Sequence, residues 1–132
     1  MSYLLDSTVI IDYVIGYQPG EAVVENLFAE TSELYTCDVV TCEALSKGTI
    51  EDLRVARSLL QALEYVALSP DGAQWAGDKR RQRIESGGGK PSTTDALIAA
   101  LAHSLGATVV TRNAQDYAAF DVPVMSYGQS LP

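Results

Sequence analysis

Short apolar runs alternate along the chain with longer segments of helical periodicity. Four strand-like runs and one further candidate lie at residues 3–5, 33–37, 65–68, 107–111 and, for the candidate, within 122–127. Helical spacing, with Gly106 as a C-terminal stop, predicts helices over about 8–17, 21–30, 71–85 and 91–106, and a mostly helical stretch from 43 to about 63 that breaks near Gly48. Strands that alternate with helices predict an α/β fold, in which helices cover both faces of a parallel sheet.

Size and composition set limits on the class of protein. The chain has 132 residues, of which 47% are hydrophobic, and this predicts one domain over residues 1–132 with a substantial core. The N-terminal stretch MSYLLDSTVII lacks the basic region of a signal peptide, and no apolar run approaches the roughly 18 residues of a membrane span. We therefore expect a soluble, cytoplasmic protein without membrane contacts. Two cysteines are too few for a disulfide framework or a four-ligand zinc site.

Charge is distributed unevenly. The formal net charge of −8 argues against nonspecific adhesion to polyanions. Four of the nine basic residues nevertheless lie in the run KRRQR at 79–83, and Lys90 follows three glycines in the loop-like stretch SGGGKPS at 86–92. A solvated helix face explains such a run by itself. A positively charged surface that contacts phosphate groups is the alternative.

Oxygen-bearing side chains follow the predicted strands or begin the next helix. In open parallel sheets, ligands bind at the carboxyl ends of the strands, where the loops into the helices converge. Four regions that are distant in sequence offer such side chains at these positions: Asp6, Glu43, Asp95, and the pair Asn113 and Asp116. Parallel topology predicts that they meet at one edge of the sheet.

Each of these carboxylates also has a purely structural explanation. Ser92 and Asp95 have the spacing of a capping box, in which the acidic side chain accepts from the backbone N–H of the first residue. Glu43 near a helix start would interact favourably with the helix dipole, by about 0.3 to 1 kcal/mol. Asp6 is harder to explain in this way, because a carboxylate at the end of a buried strand loses hydration unless a cation or hydrogen-bond donors meet it.

A cluster of carboxylates indicates a particular chemistry. Crowded negative charges repel each other unless protons or a cation neutralise them, and hard oxygen ligands select Mg²⁺ or Mn²⁺ over zinc. Such ions retain coordination positions for water and for a phosphate oxygen, so hydrolysis of a phosphate ester is the reaction that this pattern predicts. Arg112 is the nearest cationic side chain in sequence that could stabilise the additional negative charge of the transition state.

Three segments together resemble the PIN-domain ribonucleases, in particular the VapC toxins of bacterial and archaeal toxin–antitoxin pairs. The segments are YLLDSTVIIDYV, TCEALSKG and TTDALIAALAHSLGATVVTRNAQDY, and they extend from residue 3 to about 117. The resemblance implies a three-layer α/β/α sandwich with a central parallel sheet. It also implies metal-dependent endonucleolytic cleavage of RNA, a homodimer, and a small VapB-like antitoxin that covers the active-site groove.

The resemblance also assigns site residues. It implies that Asp6, Glu43 and Asp95 are catalytic and bind Mg²⁺ or Mn²⁺. The family's fourth acidic position falls by spacing on Asn113, a neutral ligand, with Asp116 as the acidic alternative, so one or two metal ions remain possible. For the basic run at 79–83, the resemblance suggests a role as an arm that follows the phosphates of RNA.

Other prominent side chains are expected to be structural. We predict that His103 is packed or at the surface, that Asp12 is exposed or in a local ion pair, and that Tyr117 packs against the sheet. Two further functions are open alternatives to a nuclease. One is a non-catalytic binding module with an incomplete acidic site, which the asparagine at 113 would suit. The other is a phosphoacceptor signalling domain, which would need paired acids after the first strand and a lysine after the last. The sequence argues against it, because Ser7 follows Asp6 and no lysine follows ATVVT or VPVMSY.

Overall fold

The computed structural model describes residues 1–30 and 32–128. Five parallel strands form one sheet with the spatial order β3-β2-β1-β4-β5. The strands are β1 (Ser2–Leu5), β2 (Glu33–Cys37), β3 (Glu64–Val66), β4 (Thr108–Thr111) and β5 (Val124–Ser126). The helices are α1 (Ser7–Ile15), α2 (Gln18–Ala29), α3 (Asp38–Ala44), α4 (Ile50–Gln61), α5 (Pro70–Glu85) and α6 (Thr93–Leu105), and a short 3₁₀ helix covers Ala114–Tyr117.

Helices cover both faces of the sheet. The chain moves outward from β1 to β2 and β3, and then crosses to β4 and β5 on the other side. Right-handed crossovers therefore place α1 to α4 on one face and α5 and α6 on the other. Most helix contacts agree, because α1 packs on α2, α3 and α4, and α5 packs on α6; in addition, α3 contacts α6. The predicted three-layer α/β/α sandwich is confirmed.

The core lies on both sides of the two central strands. Leu4 and Leu5 in β1 and Val109 and Val110 in β4 are completely buried. Continuous apolar strands of this kind are typical of a parallel sheet that is covered on both faces. The alanine-rich helix α6 packs on β1 and β4, since its small side chains permit a close approach. These contacts fix the start of α6 at the carboxyl edge of the sheet.

The predicted elements are present, with shifts at several boundaries. Gly106 ends α6 in the left-handed conformation (φ 65°), as the sequence predicts. The main error concerns Glu43, which does not lie near a helix start. The helix α3 begins five residues earlier at Asp38, so Glu43 is in its last turn, and the expected benefit from the helix dipole does not apply. Within the described ranges, no helix is long and apolar enough to cross a membrane.

Candidate active site

Asp6 lies at the junction between β1 and α1 and is 3% exposed. It is itself the N-cap of α1: its Oδ1 accepts from the backbone N–H groups of Thr8 (3.0 Å) and Val9 (3.4 Å) and from the Thr8 hydroxyl (2.5 Å). The Asp6 backbone N–H donates to the Val110 carbonyl of β4 at 3.1 Å. Hydrogen-bond donors therefore compensate for the lost hydration of Oδ1, as is typical of a helix N-cap.

The second oxygen of Asp6 faces Tyr117. The Tyr117 hydroxyl donates to Asp6 Oδ2 at 3.1 Å, and the side chain is fully enclosed. Burial raises the pKa of Asp6, although hydrogen bonds from Thr111, Thr8 and Tyr117 act in the opposite direction. Tyr117 packs as predicted, but its contact with Asp6 was not predicted. A buried tyrosine needs a partner for its hydroxyl, and its position beyond β4, at the same sheet edge as Asp6, was the signal in the sequence.

We expect Tyr117→Phe to lower the free energy of unfolding by about 1 to 2 kcal/mol, since it removes a buried hydrogen bond to a carboxylate. Urea denaturation measures this change. Tyr3→Phe is the matched control, because among the described residues the Tyr3 hydroxyl donates only to the Met1 sulfur, at 3.9 Å. An equal loss in both variants would show that the Tyr117–Asp6 bond contributes nothing specific.

Glu43 reaches the same region from α3. The Ser7 hydroxyl, in the first turn of α1, donates to Glu43 Oε1 at 3.0 Å. This contact joins residues from two different helices and directs the Glu43 carboxylate toward the residue after Asp6. The side chain remains partly exposed to solvent.

Asp95 is in the first turn of α6, one turn beyond its N-cap. The Ser92 hydroxyl accepts from the Asp95 backbone N–H at 3.0 Å, which is one half of the predicted capping box. Within the described residues, the reciprocal bond from the carboxylate to the Ser92 backbone is absent, whereas α4 has both halves of its box at Thr49 and Asp52. Capping therefore does not account for the position of the Asp95 carboxylate.

The electrostatics of Asp95 bring the separate carboxylates together. Its pKa is raised from 3.8 to about 6, first by partial burial, and then by the negative charges of Asp116, Asp6 and Glu43, while a hydrogen bond with Ser92 acts in the opposite direction. The pKa of Tyr117 is raised by burial and by the negative charges of Asp6, Asp95 and Glu43. Three regions of the chain that are distant in sequence thus contribute carboxylates to one electrostatic cluster around Asp95.

The two candidates for the fourth position are placed differently. Asp116 lines a polar cleft together with Asp95, and its charge raises the pKa of Asp95. Asn113 precedes the 3₁₀ helix, where its backbone N–H donates to the Thr111 hydroxyl at 3.1 Å, and its side chain makes no capping bond. The geometry favours Asp116 as the acidic neighbour of Asp95.

The four carboxylates form a loose cluster. Among residues 1–30 and 32–128, no three Asp, Glu, His or Cys side chains converge closely enough to hold a metal ion directly. Mg²⁺ retains several waters and is commonly held by one or two carboxylates. The chemistry of the donors therefore fits a hydrated Mg²⁺ or Mn²⁺ ion, which the remaining carboxylates would contact through water.

Asp12, an acidic residue outside this cluster, lies in an unexpected environment. Asp12 is 3% exposed, its Oδ1 accepts from Arg112 Nη1 at 3.1 Å, and its Oδ2 accepts from the Tyr127 hydroxyl at 2.7 Å. The Arg112 guanidinium also lies 4.8 Å from the centroid of the Tyr17 ring. The predicted exposure of Asp12 is therefore wrong, because residues from beyond β4 and β5 cover this side of α1. Asp12 does form an ion pair, but with a residue that is distant in sequence rather than with a local one. Arg112, the candidate for stabilising transition-state charge, is held by Asp12.

We expect Arg112→Ala to lower the free energy of unfolding by about 2 kcal/mol, because it leaves the buried Asp12 carboxylate with Tyr127 as its one remaining side-chain partner among residues 1–30 and 32–128. Removing one partner of a fully buried pair costs more, but the Arg112 side chain is 47% exposed. Arg54→Ala is the control, since the Arg54–Glu51 pair is exposed and should contribute nothing measurable. Equal urea midpoints for the two variants would contradict this interpretation.

All four basic side chains of the 79–83 run have partners within the protein. Lys79 lies over the Trp75 ring and 3.9 Å from Asp121. Trp75 stacks on His103, which is exposed, in agreement with the prediction of a packed or surface histidine. The other contacts are from Arg80 Nε to the Pro91 carbonyl at 2.9 Å, from Arg81 to Asp78 at 3.0 Å, and from Arg83 Nε to the Gly88 carbonyl at 2.9 Å. The run is therefore not a uniform phosphate-binding arm.

Comparison with solved structures shows which folds are similar. The chain superposes on a chain of VapBC2 from Rickettsia felis, bound to a DNA fragment from its promoter, with a TM-score of 0.80 and 20% identity over 97% of this chain and 100% of that chain. A chain of DNA-bound VapBC from Salmonella typhimurium gives a TM-score of 0.80 and 20% identity over 96% of this chain and 98% of that chain. A chain of VapBC-5 from Mycobacterium tuberculosis gives a TM-score of 0.67 and 24% identity over 95% of this chain and 98% of that chain.

Sequence comparisons give the family. No curated protein sequence matches this chain significantly. The family model described as "PIN domain" matches residues 3–121, which include every residue of the acidic cluster. The fold, with its five parallel strands and two helical layers, agrees with this match. The chain belongs to the PIN-domain family.

Proposed function

We propose that this protein is a metal-dependent endoribonuclease of the VapC type that acts as the toxin of a toxin–antitoxin pair. The observation that carries this proposal is that acidic side chains from distant regions meet at one edge of the sheet: Asp95 and Asp116 line one cleft, Tyr117 donates to Asp6, and Ser7 donates to Glu43. Burial, and then the negative charges of Asp116, Asp6 and Glu43, raise the pKa of Asp95. Perturbed carboxylates at the carboxyl ends of parallel strands are typical of active sites. The PIN-domain match and the similarity in fold to chains of VapBC complexes support the same function.

The proposal assigns Asp6, Glu43, Asp95 and Asp116 to Mg²⁺ or Mn²⁺. When bound, such an ion lowers the pKa of a water and stabilises negative charge on a phosphate oxygen. Asp6 supplies a fixed carboxylate, because three donors hold its Oδ1 and Tyr117 orients its Oδ2. Asp95 and Asp116 supply less constrained carboxylates at the edge of the cleft, where they can accept a proton from an attacking water.

The proposed partner is a small VapB-like antitoxin. Similar chains come from structures of VapBC complexes, and this protein has an apolar groove beside Glu43 that such a partner could cover. The groove has a volume of about 230 Å³ and is lined mainly by α1 and α4, and Ile15 in its lining is 65% exposed. A short reading frame next to the gene, whose product co-purifies with this chain, would identify the antitoxin.

A homodimer is also proposed, and sedimentation equilibrium of the purified protein tests it.

The activity is tested with purified protein and a pool of structured RNAs, with either MgCl₂ or MnCl₂. We expect endonucleolytic cleavage that EDTA abolishes, and sequencing of the new ends would give the site and the side of the phosphate that is cut. An absence of cleavage with both metals would favour the alternative, a non-catalytic PIN-fold binding module. The loose spacing of the carboxylates is the observation that keeps this alternative relevant.

A further inference from the structure

We propose that Arg83 and Lys90 form a binding site for an RNA backbone phosphate next to the acidic cluster, and that the other basic residues of the 79–83 run do not contribute. This inference rests on the proposed function, since it places the substrate in the same cleft. It identifies which two cations position the phosphate backbone relative to Asp95 and Asp116.

The two cations and the two carboxylates line one cleft. Its volume is about 450 Å³, and its walls come from the end of α5, the loop between α5 and α6, the start of α6 and the 3₁₀ helix. Arg83 and Lys90 come before Asp95 and Asp116 in the chain, and all four residues line the cleft. Within residues 1–30 and 32–128, neither cation makes an ion pair with a carboxylate of the cleft at 4.0 Å or less.

The remaining basic residues of the run lie elsewhere. Lys79 contacts Trp75 and Asp121, and Arg81 pairs with Asp78. Arg80 Nε donates to the Pro91 carbonyl, a bond of the same kind as that from Arg83 to Gly88, so these two arginines differ in their position relative to the cleft. None of Lys79, Arg80 and Arg81 lines the cleft. The charge of the cleft therefore depends on Arg83, from the last turn of α5, and on Lys90, from the loop.

Gly88 sets the position of the Arg83 side chain. Arg83 Nε donates to the Gly88 carbonyl at 2.9 Å, so the described contacts leave both terminal nitrogens available for a phosphate. A methyl group on Gly88 would lie 2.3 Å from Arg83 Nε and 2.8 Å from its Cζ. Only a glycine at position 88 lets the Arg83 side chain come this close. A larger residue there would displace the Arg83 guanidinium, since the nearest atoms that it would meet belong to that side chain and not to the backbone.

A phosphate site in this cleft would offset the negative charge around it. The protein carries a formal charge of −8, and the carboxylates of the cluster repel an approaching phosphodiester. Two cations in the same cleft reduce this repulsion locally. Because contacts with phosphates position a nucleic acid without reading its sequence, these residues would align the strand and leave base selection to other parts of the surface.

The test is fluorescence anisotropy with a labelled single-stranded RNA of mixed sequence, at several salt concentrations and with EDTA, so that cleavage does not remove the ligand. We expect Arg83→Ala and Lys90→Ala each to weaken binding roughly tenfold and to reduce the slope of log affinity against log salt by about 0.7, the value for one phosphate contact with a single strand. Arg81→Ala removes the same charge from the same helix and should leave both quantities unchanged.

Gly88→Ala provides a second test that keeps both charges. We expect it to weaken RNA binding in the wild-type background but to add little to Arg83→Ala, because both substitutions remove the same interaction. Gly77→Ala is the matched control, since a methyl group there meets no atom within 4 Å. Circular dichroism confirms that each variant is folded.

Several results would overturn the inference. One is that the Arg83→Ala and Lys90→Ala variants bind RNA as tightly as the Arg81→Ala variant does. Another is that the effects of Gly88→Ala and Arg83→Ala on binding are fully additive. A third is that the wild-type chain does not bind RNA. The proposed function is separable from it. Binding that depends on Arg83 and Lys90 without cleavage would support the phosphate site and reject the nuclease, whereas metal-dependent cleavage with unchanged binding would do the reverse.

Discussion

Asp6→Asn and Asp95→Asn should each lower the rate of RNA cleavage at least about 100-fold, because each removes a negative charge that the proposed metal site requires. Loss of a residue that only supports a metal ligand already costs about 10- to 100-fold in metal affinity or activity, so loss of a ligand should cost more. The measurement is single-turnover cleavage with MgCl₂ or MnCl₂, using an RNA from the pool experiment.

These two substitutions should leave the fold intact. Asparagine is as good an N-cap as aspartate, so Asp6→Asn retains an oxygen that can accept from Thr8 and Val9. Asp71→Asn is the matched control, since Asp71 is an exposed aspartate in the first turn of α5, at the opposite end of that helix from Arg83. Cleavage by either site variant at the rate of the Asp71 variant would reject the site assignment.

Asp95→Asn should also raise the free energy of unfolding of the metal-free protein, by about 1 kcal/mol. The pKa of Asp95 rises from 3.8 to about 6 in the folded protein, which corresponds to at most about 3 kcal/mol, and partial exposure to solvent reduces this value. The folded state therefore holds a proton that the unfolded state releases between pH 4 and 6. The contribution of Asp95 to stability is largest below pH 4 and is lost as the pH rises through 6.

The control again makes this result specific. Asp71 and Asp95 both lie in the first turn of a helix, where a negative charge is normally favourable. Asp71→Asn should thus slightly lower stability, whereas Asp95→Asn should raise it, in urea denaturation at pH 7.5 with EDTA. At pH 4 the gain from Asp95→Asn should largely disappear. A loss of stability at pH 7.5 in both variants would show that Asp95 is an ordinary helix-terminal charge.

Much of the fold and the approximate position of the site could be predicted from sequence. The spacing of apolar residues predicts the alternating elements, because buried parallel strands and amphipathic helices have different periodicities. Parallel topology then places residues after β1 and β4, such as Asp6 and Asp116, at one edge of the sheet. The starts of helices were harder to predict, and α3 shows why: its first turn, DVV, resembles a strand more than a helix.

Contacts between distant elements could not be predicted. Whether Asp12 is buried depends on Arg112 and Tyr127, which follow other strands. The contact of Tyr117 with Asp6 depends on the same assembly of the sheet edge. The charge pattern also gave no reason to separate Arg83 from the other basic residues of its run, since that distinction comes from the loop that folds back onto α5.

Binding of Mn²⁺, measured by isothermal titration calorimetry, tests the central claim most directly. If Asp6, Glu43, Asp95 and Asp116 form one site for a divalent ion, the wild-type chain and the Asp71→Asn variant should bind Mn²⁺ with the same affinity, while Asp6→Asn and Asp95→Asn should each abolish binding. Equal binding by all four proteins, or none by the wild-type chain, would contradict the claim that these carboxylates share an ion.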